Sequence, residues 1–356
     1  MLNWFDRYKR ALPWRDVGDP YLVWISEIML QQTRVDQAKP YFEHFVKCFP
    51  TVEALASADQ QEVLKAWEGL GYYSRARNMH EASKTIIEKY DGRLPRSWDK
   101  IIELKGVGPY TAAAVLSIAF QKPHAVVDGN VIRVMARYLG IEKDVRKSGV
   151  RNTIQEEVDR LIDRDRPGDF NQALMELGAT VCTPANPDCE KCPLQEGCVA
   201  LRTMKTDQLP YKSPAKKVPH HDIAVGIVVN EHQEVLIAQR PEDTMLGGLW
   251  EFPGGKQENG ESIPQTIRRE LKEELGIAVE VGRPFMSLDH AYSHFKITLH
   301  AYLCRLSEGT PTPRESQQVR WVAIDELEKY PFPKANRRLT RQLISTDNLK
   351  PATTDE

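Results

Sequence analysis

The sequence predicts a mainly helical N-terminal domain followed by a smaller α+β domain. Three observations carry this expectation. Apolar residues recur at helical spacing through the first 200 positions, with little period-two alternation. A tract rich in proline and lysine breaks that pattern near residue 205. Beyond it, short β-rich runs flank a single helical segment. A length of 356 residues also suits two hydrophobic cores better than one. The expected divisions are a first domain over 1–204, a linker over 205–221, a second domain over 222–346 and a frayed tail over 347–356.

In chain order, helical periodicity marks 21–33, 41–49, 61–69, 79–90 and 110–120. Glycine and proline punctuate the joints at Gly69-Leu70-Gly71, Gly106-Val107-Gly108-Pro109 and Arg166-Pro167-Gly168. The linker carries Pro210, Pro214 and Pro219, four lysines and little apolar content, so it reads as extended and solvated. Strands are expected at 223–229, 235–239, 278–281 and 296–303, and a helix at about 263–275. No internal repeat is visible.

Composition narrows the class. Hydrophobic residues at 41% and charged residues at 28% describe a soluble globular chain. The longest apolar stretch, 112–120, is too short to span a bilayer. The N-terminal MLNWFDRYKR lacks an apolar segment followed by a small-residue cleavage site, so a cytoplasmic location is expected. Net charge is −2, which does not by itself point to nucleic acid. Through His220, Lys+Arg number 32 against 29 Asp+Glu, and beyond it 16 against 21, so the first part is mildly basic and the second mildly acidic.

Four of the six cysteines fall in one loop, as Cys182-x6-Cys189-x2-Cys192-x5-Cys198. Four thiolates in so short a span suit zinc or a [4Fe–4S] cluster. Structural zinc usually shows two C-x2-C pairs, and only one is present here, so the spacing favours the cluster. Pro184, Pro187 and Pro193 force the chain to wrap. No electron-transfer motif lies nearby, which favours a structural or DNA-facing role.

Upstream, Gly106-Val107-Gly108-Pro109 stands directly before a long apolar helix. Glycines permit close backbone approach, and a helix N-terminus offers N–H groups to an anion such as a phosphate. Alone, this is an ordinary helix–helix turn. Asp128, after Ala125-Val126-Val127 and before Gly129-Asn130, reads alone as an N-cap. Hairpin, helix, aspartate and downstream cysteine loop form a much rarer combination.

Together with Leu12-Pro13-Trp14-Arg15, residues 24–33 (WISEIMLQQT) and residues 69–78 (GLGYYSRARN), these features make the first 200 residues resemble the helix-hairpin-helix DNA glycosylases related to endonuclease III, and within them the adenine-specific branch. The resemblance implies that adenine mispaired with 8-oxoguanine or guanine in duplex DNA is removed by hydrolysis of its N-glycosidic bond. Two carboxylates in different environments serve such chemistry. Glu27 sits among Trp24, Ile25, Ile28 and Leu30, where desolvation favours its protonated form. The resemblance makes it the general acid and then the base that activates water. Asp128, at a helix N-terminus, is expected to stay ionised and to stabilise the sugar cation. Relatives with lyase activity carry a lysine where this chain has Tyr110, and tyrosine cannot form a Schiff base. A monofunctional enzyme is therefore expected, with Tyr110 orienting Glu27 and with Asn130 and Arg15 lining the site. Ile132 replaces a lysine of some relatives, so cross-linking to DNA there is not expected.

Flipping adenine out of the duplex requires something to fill the gap. Gln32 and Tyr72 match family positions that wedge into the helix, and Gly106 and Gly108 match the DNA-binding hairpin. Without the resemblance, Tyr72 and Tyr73 would read as core aromatics, and Arg75 and Arg77 as a solvated basic face. The stretch between Cys182 and Cys189 has no basic residue, which weakens a DNA-gripping role for that loop. Expected partners are mispaired duplex DNA, with repair proteins possible at the linker, and the chain is expected to act as a monomer, nucleoid-associated through its DNA.

In the second domain, Gly255-x5-Glu261-x7-Arg269-Glu270-Leu271-x-Glu273-Glu274-x-Gly276-Ile277 is a complete Nudix box. Glu270, Glu273 and Glu274 fall on adjoining helical positions, where carboxylates can serve Mg²⁺ beside a diphosphate. Members of the adenine-specific branch carry a Nudix-like domain that reads the base opposite the target. The stretch 290–295 (HAYSHF) matches its lesion-reading loop, with Ser293 and His294 as the reading residues. Recognition is thus favoured over hydrolysis, and Mg²⁺ is expected only if the box is active. The alternatives are an endonuclease III-like glycosylase/lyase, a Nudix nucleotide hydrolase with a DNA-binding helical domain, and a non-enzymatic DNA-binding protein. Tyr110 and the second domain argue against the first, and the Glu27–Asp128 pair against the last.

Overall fold

A computed structural model describes residues 1–214, 218–292 and 294–346. Ser293 and the tail expected over 347–356 lie outside the described residues. The helices run in order α1 (Leu2–Tyr8), α2 (Pro20–Leu30), α3 (Val35–Cys48), α4 (Val52–Ser57), α5 (Gln60–Ala66) and α6 (Ser74–Tyr90). Then come α7 (Trp98–Ile101), α8 (Pro109–Phe120), α9 (Gly129–Leu139), α10 (Ser148–Leu161), α11 (Pro167–Thr180) and α12 (Val199–Arg202). Two compact units emerge, one of Met1–Ser57 with Asn78–Ala215, the other of Ala58–Arg77 with Lys216–Glu356. Residues 58–77, inside the first domain as read from sequence, thus group with the second unit.

Local signals explain the helices of the first unit. Asp19 caps α2 by accepting from the Tyr21 N–H at 2.8 Å, and Pro20 opens it. Asp128 caps α9 in the same way, and Gly140 closes it in the left-handed region. α3 begins six residues before the predicted start because Pro40 is accommodated inside it. One core gathers Val131, Val134 and Met135 of α9, Ile154 and Val158 of α10, and Leu174 and Leu177 of α11. The extended residues before Asp128 are pinned by buried Asn171. Its side chain accepts from the Val126 N–H (3.0 Å) and donates to the His124 carbonyl (2.8 Å) and the Ser117 hydroxyl (2.9 Å).

The second unit is built on a seven-stranded sheet of β1 (His220–Val229), β2 (Glu234–Gln239), β3 (Trp250–Glu251), β4 (Gly254–Lys256), β5 (Ala278–Ala291), β6 (Lys296–Glu308) and β7 (Gln318–Ala323). The order is β3-β2-β1-β6-β5, with β4 also on β1 and β7 also on β2. β1 and β6 are parallel and the other pairs antiparallel. Alternate residues of β1 face opposite ways, as the strand period requires. Ala224 and Val228 pack with Ile267 and Leu271 of α13 (Ile263–Leu275). Val225, Ile227 and Val229 pack with Leu339 and Leu343 of α14 (Lys334–Ile344).

β5 runs ten residues beyond its predicted end. Register shifts at 281–286, around Gly282 and Pro284, interrupt the ladder, and pairing with β6 then resumes. β7 and α14 were not predicted, although Ala335, Leu339 and Leu343 of α14 recur at helical spacing. Among the described residues, no helix is long and apolar enough to cross a membrane.

Candidate active site

A pocket of about 400 Å³ opens in the first unit where α2, α8, the N-terminus of α9 and α11 converge. Glu27 lies in its wall, only 5% exposed, because α2 is apolar on nearly every side. The Tyr110 hydroxyl, from the first turn of α8, donates to Glu27 Oε2 at 2.9 Å and also meets Met175 Sδ at 3.6 Å. Burial pushes the Glu27 carboxyl up to about 7; the Tyr110 hydrogen bond opposes this, nearby Asp128 adds to it, and the positive charge of Arg15 opposes it. Burial also holds the Tyr110 phenol well above its ordinary value.

Asp128 lines the same pocket. Its carboxylate accepts from the Val131 N–H at 2.7 Å and from Asn130 Nδ2 at 2.9 Å. The helix terminus by itself favours the ionised form. Burial outweighs these donors, and the Asp128 carboxyl stands above its ordinary value.

The structure adds partners that sequence reasoning missed. Arg15 lines the pocket and donates to Gln172 Oε1 (3.2 Å), Glu176 Oε2 (3.1 Å) and the Arg10 carbonyl (2.9 Å). Arg10 holds Glu176 from a second side at 2.7 Å. Burial alone would raise Glu176, but the Arg10 hydrogen bond and the charge of Arg15 bring it below its ordinary value. A buried charge on an amphipathic helix was the available signal for Glu176, and its partners lie more than 150 positions away.

Asn130 is held in turn. Arg133 Nη2 donates to Asn130 Oδ1 (2.9 Å) and the Gly178 carbonyl (2.6 Å), while its Nε donates to the Cys182 carbonyl (2.7 Å). Arg137, one turn on, is buried. It donates to Cys182 Sγ (3.3 Å), to the Thr183, Pro184 and Leu209 carbonyls, and so fixes the loop. Helix α9 therefore links Asp128 to the cysteine loop through side chains on its own surface.

All four cysteines of that loop line one cavity. Burial, with the neighbouring thiolates adding to it, pushes the Cys189 and Cys192 thiols up. Among the described residues, no three His, Cys, Asp or Glu side chains converge on a position for one metal ion. A [4Fe–4S] cluster takes one thiolate at each of four irons, so its ligands surround a larger group than one ion. The four-thiol cavity fits that group in donor type and number.

Gly106 takes φ +79, and a Cβ there would lie 2.7 Å from Asn78 Cβ, so the hairpin needs glycine. Gly108 begins α8 without a side-chain cap, and nothing lies within 4 Å of where its Cβ would be. Gln32 is exposed at the end of α2 with φ +56, a conformation rarely taken by such a residue.

In the second unit, Tyr72 has φ +49 and is 37% exposed. His294 is exposed between β5 and β6; Phe295 packs on Tyr292 with ring centroids 4.8 Å apart. On α13, Arg269 pairs with Glu261 (2.7 Å), Glu270 (2.9 Å) and Glu273 (3.1 Å). Glu274 accepts from the Gly254 N–H at 3.2 Å, and burial plus the charges of Glu251, Glu270 and Glu315 push it up to about 8. These hard oxygen donors have the chemistry of a Mg²⁺ site; among the described residues no three such side chains converge on one ion position.

Comparisons with known proteins cover both parts of the chain, and the first family match runs through residues 58–77. A model described as the HhH-GPD superfamily of base excision DNA repair proteins matches residues 25–160, and one described as a NUDIX domain matches residues 224–342. The human adenine DNA glycosylase is 33% identical over 396 residues, spanning 96% of this chain and 72% of the human protein. The chain belongs to the adenine DNA glycosylase family. The member of that family from Buchnera aphidicola subsp. Acyrthosiphon pisum is 31% identical over 340 residues, 95% of each chain. Among solved structures, a thermostable thymine-DNA glycosylase shares 32% identity with a TM-score of 0.52, covering 57% of this chain and 93% of its own. Family membership thus accounts for both units, the helical glycosylase part and the Nudix-like sheet.

Proposed function

We propose that this base-excision enzyme removes adenine opposite 8-oxoguanine or guanine in duplex DNA, and that it is monofunctional. The observation that carries this reading is Glu27, raised to about 7 and hydrogen-bonded to Tyr110, in one pocket with Asp128. Glu27 donates its proton to N7 of the flipped adenine, so the base leaves neutral as the N-glycosidic bond breaks. The Asp128 carboxylate, oriented by Val131 and Asn130, faces the positive charge that develops on the sugar. Glu27, now ionised, takes a proton from water as its oxygen bonds to C1′, and the acid form is restored. Tyr110 offers no amine, so no Schiff base forms and the strand is left intact.

Gln32 and Tyr72 fill the gap in the duplex, and the Gly106–Gly108 hairpin with the first turn of α8 receives a backbone phosphate. Cys182, Cys189, Cys192 and Cys198 hold a [4Fe–4S] cluster, which when bound ties four positions of the loop together. Ser293 and His294 read the opposite base. The chain works as a monomer in the cytoplasm on nucleoid DNA, and repair proteins dock at exposed positions of the 205–221 stretch, which is less solvated than its composition suggested, since Leu209 is buried, Tyr211 and Ser213 bond to the first unit, and His220 opens β1.

A labelled duplex with one adenine opposite 8-oxoguanine tests the reading. Breakage at that adenine only after hot alkali, fastest opposite 8-oxoguanine and absent opposite thymine, is expected. Breakage without alkali would overturn monofunctionality, and no base loss from protein retaining its iron would overturn the whole reading. Recognition by the second unit has its own test. The full chain with Mg²⁺ should release no phosphate or pyrophosphate from a nucleotide panel. Release that Glu274→Gln abolishes would make this unit a hydrolase.

A further inference from the structure

Residues 58–77 form part of the second unit, and their bonding within it is dense. Trp250 Nε1 donates to Gln61 Oε1 at 3.0 Å, and Gln61 Nε2 donates to the Gly248 carbonyl at 3.0 Å. Nearer the 69–72 turn, the Tyr73 hydroxyl accepts from the Gly69 N–H (2.9 Å) and donates to the Phe332 carbonyl (3.3 Å). Between these anchors sits Glu68, whose side chain is 8% exposed. Its Oε1 accepts from the Phe332 N–H at 2.9 Å. Its Oε2 meets Lys65 Nζ at 2.9 Å and Arg337 Nε at 3.4 Å, and Arg337 Nη1 donates to its carbonyl at 3.3 Å. Lys65 also reaches the Tyr330 carbonyl at 3.2 Å.

A buried carboxylate needs such partners to offset its lost hydration. Here all but Lys65 come from the segment 330–337, which follows the sheet and opens α14. Four residues after Glu68 the chain reaches Tyr72. Gly69 and Gly71 have φ +100 and +83, and Tyr72 has φ +49, so three positions within four are left-handed. A turn of that kind persists only when its surroundings hold it. The Trp67 indole and Arg75 Nη2 fix its Gly71 carbonyl at 3.0 and 2.9 Å, and Glu68 ties its leading end to the 330–337 segment.

We infer that Glu68 is a positioning residue: through it, the 330–337 segment of the second unit sets how the Tyr72 side chain is presented to DNA. This rests on the reading of Tyr72 as the group that enters the duplex. The part of the chain that checks the opposite base thereby also controls the wedge that supports flipping, without touching the reacting atoms.

The test uses the full chain and a duplex carrying 2-aminopurine beside the adenine opposite 8-oxoguanine. Single-turnover excision and the fluorescence rise on unstacking are measured for Glu68→Ala, Arg337→Ala, Tyr72→Ala and the Glu68→Ala/Tyr72→Ala pair. Glu68→Ala should lose about tenfold in rate with a matching loss of fluorescence rise, and nothing further in the Tyr72→Ala background. Glu68→Gln, which keeps an acceptor for the Phe332 N–H, should fall between wild type and Ala. If Glu68→Ala does not fold, Arg337→Ala, whose side chain is 27% exposed, should show the same paired loss. An equal loss from Glu68→Ala with or without Tyr72 would make Glu68 merely structural and overturn the inference. Wild-type behaviour of both single variants, where Tyr72→Ala is impaired, would also overturn it. An unimpaired Tyr72→Ala would instead overturn the underlying reading of Tyr72.

Discussion

Glu27, the proposed general acid, shows how a buried carboxyl can cost stability. Its carboxyl moves from an ordinary 4.5 to about 7 on folding, chiefly because burial disfavours the charge. The folded state therefore holds this proton more tightly than the unfolded state. Stability from this group is fully present below the unfolded value and is lost as pH rises through the folded one, a difference of about 3 kcal/mol above pH 7. Glu27→Gln does not titrate. It should therefore melt higher relative to wild type at pH 8 than at pH 5, while abolishing excision and leaving DNA binding intact. An equal gap in melting temperature at both pH values would show that the buried charge is not the cause. Tyr110 supplies a second handle. Its hydrogen bond favours ionised Glu27, so Tyr110→Phe should raise the Glu27 pKa further. On the proposed mechanism the rate should fall at alkaline pH as Glu27 loses the proton it donates, and in Tyr110→Phe that fall should move to higher pH. Movement to lower pH would contradict the hydrogen-bond role. Both residues were legible in the sequence, Glu27 as a carboxylate in an apolar helix and Tyr110 as a departure from lysine. Glu176 and Arg133 were not, because their meaning depends on groups that only folding brings near.

Between elements, the approach of α9 to α11 decides where Asn130 stands. A Cβ on Gly178 would lie 2.6 Å from Asn130 Cβ and 3.1 Å from its backbone. Gly178→Ala must push the helices apart, at a cost of about 1–3 kcal/mol, and should displace Asn130 from Asp128. Lower thermal stability with a reduced excision rate is the expected outcome, and an unchanged rate would show that Asn130 does not need this contact. Arg133→Leu removes the Arg133 bond to Asn130 within α9 and its bonds to the Gly178 and Cys182 carbonyls, without overpacking. It should reduce both excision and retained iron, and normal values of both would show that α9 does not join loop to site. Such close packing has no counterpart in periodicity. Helical spacing located α2, α8 and α13 within a few residues, since an apolar stripe repeats along the element itself. The β-rich run 278–281 marked only the start of β5, whose pairing with β6 resumes past the register shifts at 281–286, and α14 was passed over although its apolar residues recur at helical spacing.

For the whole molecule, the proline-rich linker suggested a clean cut near residue 205, yet the second unit takes in residues 58–77. α5 could not reveal this from its own sequence. Its capping box at Asp59 and Glu62 is complete, so it reads as an ordinary helix of the first domain. The outward partners of this segment are instead Trp250 and Gly248 for Gln61 of α5, and Phe332 and Arg337 for Glu68 just beyond it. A chain shortened to end at Pro214 keeps every residue of the helical part but loses all four of these. Buried polar groups left without partners cost about 1–3 kcal/mol each, so the damage should concentrate at 58–77 rather than spread evenly. Amide exchange should accelerate for residues 61–73 in the shortened chain and stay slow in α9 and α11. Unchanged exchange at 61–73 would show that this segment holds itself, and that the linker is the true boundary of the fold.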